Sequence, residues 1–218
     1  MAGLTKSKSR DIPLSEKKEK NIVWNNGYIT KKDRIKKNKH QSGLLWFTGI
    51  PSSGKSTIAY QLEKKLFKQG IFCYVLDGDN IRHGLNEDLG FSPENRKENI
   101  RRIVEVAKLM ADAGILVLAA FISPYREDRQ FIRTKFHGGI YGEIYVKCSL
   151  EECEKRDPKG HYRQAKMGLI KNYTGFSAPY EEPKSPDLTL DTTQNSVQES
   201  ISKILEWLEN NKMLLVEK

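Results

Sequence analysis

No stretch constrains this chain more than Leu44-Leu45-Trp46-Phe47-Thr48-Gly49-Ile50-Pro51-Ser52-Ser53-Gly54-Lys55-Ser56-Thr57. Leu44 to Thr48 is short, apolar and aromatic, as a buried strand should be. A Gly-x-x-x-x-Gly-Lys-Ser loop follows, and a helical pattern begins directly behind it. A polyphosphate needs many donors converging at close range. Gly49 and Gly54 let the backbone curl and turn its N–H groups inward, and a helix opening at Gly54 adds the partial positive charge of its N-terminus. Lys55 then reaches the β- and γ-phosphates, and the Ser56 hydroxyl enters the coordination sphere of Mg²⁺. The bland alternative is a strand, glycine turn and helix that carries a lysine by coincidence, and the strand-to-helix setting argues against it. The loop specifies a nucleoside triphosphate but leaves the reaction open.

The 218 residues suit a single α/β domain with a full core and an appended segment. Cys73, Cys148 and Cys153 are odd in number and include no C-x-x-C pair. They read as reduced thiols of a cytoplasmic protein, not as a disulfide or zinc framework. No apolar run approaches the length of a membrane span, and the N-terminus lacks the apolar core of a signal peptide, so no membrane partner is expected. The net charge of +9 raises the question of nucleic acid, but it is local. Residues 1–40 hold twelve Lys/Arg against four Asp/Glu, and the rest of the chain holds 25 against 24. A nearly neutral domain behind a basic leader predicts no specific nucleic-acid partner, the leader reading as a solvated tail.

Residues 1–20 are Lys/Ser/Glu-rich and are expected to be disordered, with residues 21–218 forming one domain. Ile22-Val23-Trp24 is expected to anchor the leader, and Thr30 to cap a short polar helix. After the loop, Ile58, Ala59, Leu62, Leu66 and Phe67 recur at helical spacing up to Gly70. Ile71 to Leu76 is a second strand, ending in Asp77-Gly78-Asp79-Asn80. Pro93 to Ala113 is a long amphipathic helix with Ile100, Ile103, Val104, Ala107 and Leu109 to Met110 on its inner face. Ile115 to Ile122, apolar throughout, is a central third strand, and Ser123-Pro124-Tyr125-Arg126 opens the next helix. A fourth strand (143–148), a helix capped by Ser149, a fifth strand (188–190) and a closing helix (197–208) complete the pattern. Between them, residues 157–185 are rich in Lys, Gly, Tyr and Pro without an apolar period, and are expected to form a mobile lid. Strands alternating with helices around one phosphate loop predict a doubly wound parallel five-stranded sheet.

Two reaction classes fit a phosphate loop of this kind: a small-molecule kinase, and a GTPase-type switch or nucleic-acid-stimulated NTPase. The Asn-Lys-x-Asp guanine reader of a GTPase is absent from the sequence. A motor would need a larger core and a basic channel. Kinase is the favoured class. No Asp ends the third strand, so Asp77 and Asp79, at the carboxyl end of the second, must supply the acidic partners: one for Mg²⁺, the other to orient or deprotonate an attacking hydroxyl. Arg82, Arg96 and Arg101/Arg102 suit an anionic acceptor, one or two of them serving only as a solvated helix face.

These residues also closely resemble the adenylylsulfate kinase family. The resemblance rests on Asp77-Gly78-Asp79-Asn80-Ile81-Arg82-His83-Gly84-Leu85, on Leu89-Gly90-Phe91-Ser92 and on Arg96-x-Glu98-Asn99-Ile100-Arg101-Arg102. It extends to Asn21-Ile22-Val23-Trp24, Phe121-Ile122-Ser123-Pro124-Tyr125-Arg126, Arg156-Asp157-Pro158-Lys159-Gly160, Tyr173-Thr174-Gly175 and Pro179-Tyr180-Glu181, in the family's order from about residue 20 to the end. It implies a P-loop kinase fold with a mobile lid, ATP and adenylylsulfate as substrates, Mg²⁺ as cofactor and a homodimer. The implied reaction is transfer of the γ-phosphoryl to the ribose 3′-hydroxyl. Lys55, Asp77, Asp79 and Ser123 take catalytic places, Ser123 as the counterpart of a described phosphoserine that in-line transfer does not require. Gly49, Ile50, Pro51, Ser52, Ser53, Gly54, Lys55, Ser56, Thr57 and Arg156 hold ATP, and Ser56 and Asp77 the metal. Asp79, Arg82, Phe91, Arg96, Asn99, Ile122, Ser123, Lys171 and Tyr173 hold the acceptor, its adenine between Phe91 and Tyr173. The chain departs from the family pattern at Pro51 and Ser52, the latter at a usual glycine, and in the lid at His161, Met167-Gly168-Leu169, Tyr173 and Phe176.

Overall fold

The computed structural model describes residue 23, residues 25–136 and residues 140–214. The basic leader, with Ile22 and Trp24 of the expected anchor, lies outside the described residues. Val23 is 76% exposed. The Thr30 hydroxyl accepts the Asp33 N–H while the Asp33 carboxylate accepts the Thr30 N–H, a capping box that opens α1 (Lys31–Asn38). The chain continues through β1 (Gly43–Thr48), α2 (Lys55–Lys68), β2 (Cys73–Asp77), the single turn α3 (Gly78–Ile81), α4 (Pro93–Asp112), β3 (Leu116–Ala120) and α5 (Arg126–Lys135). It ends with β4 (Ile140–Lys147), α6 (Leu150–Arg156), α7 (His161–Lys166), β5 (Leu188–Asp191) and α8 (Val197–Asn210). Ser92, Ser149 and Ser196 each accept an N–H of the first turn that follows, so the helix starts are set by local chemistry.

The five strands are parallel in the order β2-β3-β1-β4-β5. Every residue of β1 and β3 is buried, as a sheet covered on both faces requires. On one face Leu45, Phe47, Val75, Leu118, Ile144 and Val146 meet Ile58, Leu62 and Leu66 of α2 and Ile201, Ile204 and Leu208 of α8. On the other, Leu44, Trp46, Leu76, Val117 and Ala119 meet Ile100, Ile103, Val104 and Ala107 of α4 and Ile132 of α5. Two residues expected on inner helix faces point outward: Phe67 is 72% and Leu109 69% exposed. At 100° per residue, Leu109 lies opposite the Ala107–Ala111 stripe, and Phe67 is turned off the Leu62–Leu66 line. Strand β1 has β3 on one side and β4 on the other. Such a switch in strand order opens a crevice at the carboxyl edge of the sheet, where ligands of open α/β sheets bind.

Candidate active site

The loop after β1 is shaped by side chains that take its carbonyls. Lys55 Nζ donates to Ile50 O at 2.7 Å, the Tyr162 hydroxyl to Pro51 O at 3.1 Å and Thr192 Oγ1 to Ser53 O at 2.8 Å. Ile50 O also accepts the Ser53 N–H at 3.3 Å, which closes a turn within the loop. The first bond of α2 runs from Ile58 N–H to Gly54 O, so the N–H groups of Lys55, Ser56 and Thr57 have no intrahelical partner and remain for an anion. Gly49 is required by close approach: a Cβ there would lie 2.5 Å from Val146 O and 2.8 Å from Ser53 Oγ. Ser52 sits at φ +62°, in the left-handed region that glycine enters without strain. Burial pushes the Lys55 ammonium down to about 8, with Cys153, Asp77 and Asp79 pulling the other way. Arg156 donates to Thr192 O at 2.6 Å and lies beside Gly54, at the rim of the same loop.

Asp77, at the end of β2, meets the loop directly. Its Oδ2 accepts the Ser56 hydroxyl at 2.6 Å, while Oδ1 accepts the Asp79 N–H at 3.0 Å and so caps α3. Two hard oxygens stand together at the mouth of the phosphate loop. Among the described residues no group of three or more His, Cys, Asp and Glu gathers to hold a metal unaided. One carboxylate plus a hydroxyl is the donor set of Mg²⁺ held chiefly by substrate phosphates and water, so the residues fit that ion. Asp79 is exposed and its carboxylate is ion-paired with Lys159, the first cation of the lid. Sequence reasoning did not single out Lys159. Its place in Arg156-Asp157-Pro158-Lys159-Gly160 was the available signal, but nothing local ties it to a carboxylate 80 residues away.

Beyond Asp79 the expected acceptor residues gather around one ring. The Arg82 guanidinium lies 4.4 Å from the Phe91 ring centre and that of Arg96 5.8 Å. Arg82 donates to Leu89 O at 2.7 Å and Arg96 to Phe91 O at 2.9 Å. Burial, first among the causes, lowers both guanidinium pKa values from their ordinary level. Arg96 also reaches the lid, at Thr174 Oγ1 (3.3 Å) and Asn172 O (3.4 Å), drawing the segment that carries Tyr173 toward Phe91. Buried Asn99 accepts from Asn86 Nδ2 at 2.9 Å. Arg101 and Arg102 do not join the group. Both bind Glu98, holding its carboxyl down to about 2, and Arg102 also binds Asp88.

Ile122 and Ser123 follow β3, the strand paired with β2, and form the wall of the crevice after it. Ser123 is buried at φ +40°. Its hydroxyl accepts the Trp46 indole N–H at 2.9 Å and donates to Thr48 Oγ1 at 2.9 Å. Thr48 has one hydrogen and gives it to Ile122 O at 2.8 Å. Thr48 therefore accepts from both Ser123 and the Tyr180 hydroxyl, at 3.0 Å, and cannot take a proton from Ser123.

The stretch expected as a lid lies folded on the phosphate loop. Tyr162, within this stretch without an apolar period, is 1% exposed. It packs with Ile50, Cys148 and Cys153 and meets the Tyr173 ring edge-on at 4.9 Å. Gly175 comes so close to Ile50 that a Cβ would lie 2.9 Å from Ile50 Cγ2. The missing apolar period misled here, because one tyrosine and one glycine make the contact and no amphipathic face is needed. Lys171 is exposed on the segment between α7 and Tyr173.

A parallel sheet of this order, a phosphate loop before α2 and a carboxylate beside the loop's serine define a P-loop kinase. Residues 41–191 match the adenylylsulphate kinase family. The adenylyl-sulfate kinase of Staphylococcus carnosus is 54% identical over 197 residues, spanning 90% of this chain and 99% of that protein. The Mycobacterium tuberculosis APS kinase, solved in complex with AMPPNP and APS, superposes with a TM-score of 0.76 at 46% identity, covering 78% of this chain and 99% of that one. A hexameric APS kinase from Thiobacillus denitrificans superposes at 0.61 with 32% identity, over 81% of this chain and 30% of that one. The chain belongs to the adenylylsulfate kinase family.

Proposed function

We propose that the protein transfers the γ-phosphoryl group of ATP to the ribose 3′-hydroxyl of adenylylsulfate, giving 3′-phosphoadenylylsulfate for sulfate assimilation. One observation carries the reading beyond family membership: the Ser56–Asp77 pair at the phosphate loop continues through Asp79 into a wall of Arg82, Phe91 and Arg96. Phosphoryl transfer of this type passes through a loose transition state, so alignment and charge neutralisation matter more than a strong base. The N–H groups at the start of α2, from Lys55 to Thr57, and the Lys55 ammonium hold the triphosphate, and Arg156 lies beside the ATP base. Ser56 and Asp77 would hold Mg²⁺, which would supply charge neutralisation on the phosphates. Asp79 orients the 3′-hydroxyl. Lys159, ion-paired with Asp79, is released toward the anionic acceptor when the hydroxyl takes its place. Arg82, Arg96 and Asn99 hold the phosphosulfate and ribose, and Phe91 and Tyr173 flank the adenine. Ile122 and Ser123 close the site from β3, and Lys171 approaches the phosphates as the lid moves.

No helix among the described residues is long and apolar enough to cross a membrane. A cytoplasmic homodimer is the assembly we propose, and sedimentation at micromolar concentration tests it. The reaction is tested by a coupled ADP-release assay with adenylylsulfate, gluconate, shikimate and nucleoside monophosphates as acceptors. Adenylylsulfate is expected to turn over fastest by a wide margin, and faster turnover of any other acceptor would overturn the assignment.

A further inference from the structure

Arg129, in the second turn of α5, is 2% exposed, and a buried guanidinium persists only when its charge and donors are met. Nε donates to Glu143 Oε1 on β4 at 2.9 Å, which balances the charge. The other two nitrogens go to main-chain carbonyls from two separate segments: Nη1 to Ser123 O at 2.6 Å, and Nη2 to Glu181 O. The first carbonyl belongs to the wall after β3. The second belongs to the end of the lid, where Tyr180 hydrogen-bonds Thr48 and the Glu181 N–H donates to Pro124 O at 2.8 Å. The Arg126 N–H and Nε complete that junction by donating to Glu181 Oε2 (2.8 Å) and Glu182 O (2.7 Å).

We propose that Arg129 is a positioning residue: its planar fork sets the backbone of the acceptor wall at Ile122–Ser123 and fixes the lid's exit at Tyr180–Glu182 in one geometry. The fork suits this because its donor angles are rigid, so the two carbonyls it binds are fixed relative to each other. Ser123 needs such a hold, being a non-glycine residue at φ +40° ahead of a proline. With Ile122 O on Thr48 and Ser123 O on Arg129, both carbonyls of the wall are drawn into the protein body. In the planar trans peptide the Ser123 N–H then points away from Thr48. Lid closure hinges before Tyr180 in the chain, and the last residues of the expected lid, from Tyr180 on, stay with the domain. This rests on the acceptor reading above for what the wall binds.

A buried ion pair that only supports the fold is the competing explanation, and Arg133 separates the two. One turn further along α5, it approaches the same Glu143 at 3.6 Å and binds Asp187 at 2.7 Å. Its ion pairs are with Glu143 and Asp187, not with the wall or the lid. The experiment compares Arg129→Lys, the double variant Arg129→Met with Glu143→Gln, Glu143→Gln alone and Arg133→Gln by thermal unfolding and by KM for ATP and adenylylsulfate. The double variant avoids stranding a buried carboxylate. Both Arg129 variants are expected to raise the adenylylsulfate KM about tenfold or more and the ATP KM less than about twofold, because a displaced wall misplaces only the acceptor. Glu143→Gln and Arg133→Gln are expected to lower Tm with the ratio of the two KM values unchanged. A folded double variant with a normal adenylylsulfate KM overturns the proposal, as does a parallel loss in all four variants or failure of both Arg129 variants to fold. If the wild type does not phosphorylate adenylylsulfate, the function proposed above fails instead. Hydrogen exchange then decides about Arg129 without substrate: the Glu181 amide must exchange faster in Arg129→Lys than in Arg133→Gln.

Discussion

Lys55 is buried against the Ile50 carbonyl, and that burial, only partly offset by negative charge nearby, pushes its ammonium down to about 8. A triphosphate adds to that charge, so binding takes up the proton that the free protein has lost at higher pH. The kcat/KM for ATP should therefore fall as pH rises through about 8, with kcat holding to higher pH because bound phosphates restore the ammonium. The same shift acts on folding with the opposite sense. Between about 8 and the ordinary value of 10.5 the unfolded chain binds more protons than the folded one, so this group's contribution to stability rises with pH across that window. Lys55→Ala removes a preorganised cation from the transferring group and should cost about 3 kcal/mol, roughly a hundredfold in kcat. Near-normal turnover at saturating ATP would show that the loop is not the catalytic cradle. At Ser123 the hydroxyl proton lies on a threonine oxygen with no free lone pair, so a covalent phosphoserine route lacks a base. Ser123→Ala should keep a reduced but measurable rate. An inactive variant that still binds both substrates, together with stoichiometric labelling of the wild type by γ-labelled ATP, would establish the covalent route.

At the scale of elements, the lid combines a fixed contact with a movable one. Tyr162 of α7 is buried and bonded to Pro51, whereas Tyr173 is half-buried, meets Tyr162 only by a ring edge and lies between two residues, Asn172 and Thr174, that Arg96 binds. Tyr173 can thus rotate toward Phe91 while Tyr162 holds the first turn of the lid to the loop. Base stacking on an aromatic ring contributes about 1–3 kcal/mol, so Tyr173→Ala should raise the adenylylsulfate KM roughly fivefold to more than a hundredfold. The ATP KM should change little, and Tyr173→Phe, which keeps the ring face, should stay near the wild type. Equal losses for both substrates would mean that Tyr173 only pins the lid, and a large defect in Tyr173→Phe would assign the role to its hydroxyl.

For the whole molecule, chemistry and stability lie at opposite ends of the sheet. Asp77, Ser123, the phosphate loop and the lid cluster at the carboxyl edge. At the amino edge His40 is fully buried, with Nε2 accepting the Phe72 N–H at 2.9 Å and Nδ1 paired with Gln41 O at 2.8 Å, joining the end of α1 to the start of β2. Because Phe72 N–H can only donate, Nδ1 carries the imidazole proton. His40→Ala leaves that N–H without its partner and opens a cavity, and should cost about 1–3 kcal/mol. That corresponds to about 2–4 °C in Tm per kcal/mol for a chain of this size. Both KM values should be unchanged, and a kinetic defect in a folded His40→Ala would mean that the two ends of the sheet are coupled.

The amino-acid sequence by itself determined what depends on neighbours along the chain. The run from Leu44 to Thr57 gives strand, loop and helix in succession, Thr30 and Ser149 sit at their caps, and five apolar runs separated by helices imply a parallel sheet. Asp77 was legible as well, because it ends the apolar run that follows the phosphate-loop helix, at the edge where open α/β sheets bind ligands. Tertiary structure alone decided the contacts between distant segments. The Thr48–Tyr180 bond spans 132 positions, Lys159–Asp79 spans 80 and Arg129–Glu181 spans 52. These pairs meet because the strand order places the loops after β1, β2, β3 and α6 around one crevice. That order follows from how two apolar faces are covered at once, a property of the whole chain that no local pattern encodes. Tyr162 and Arg129 sit in stretches whose composition suggests solvent exposure, and they are buried because the crevice supplies the carbonyls that their donors require.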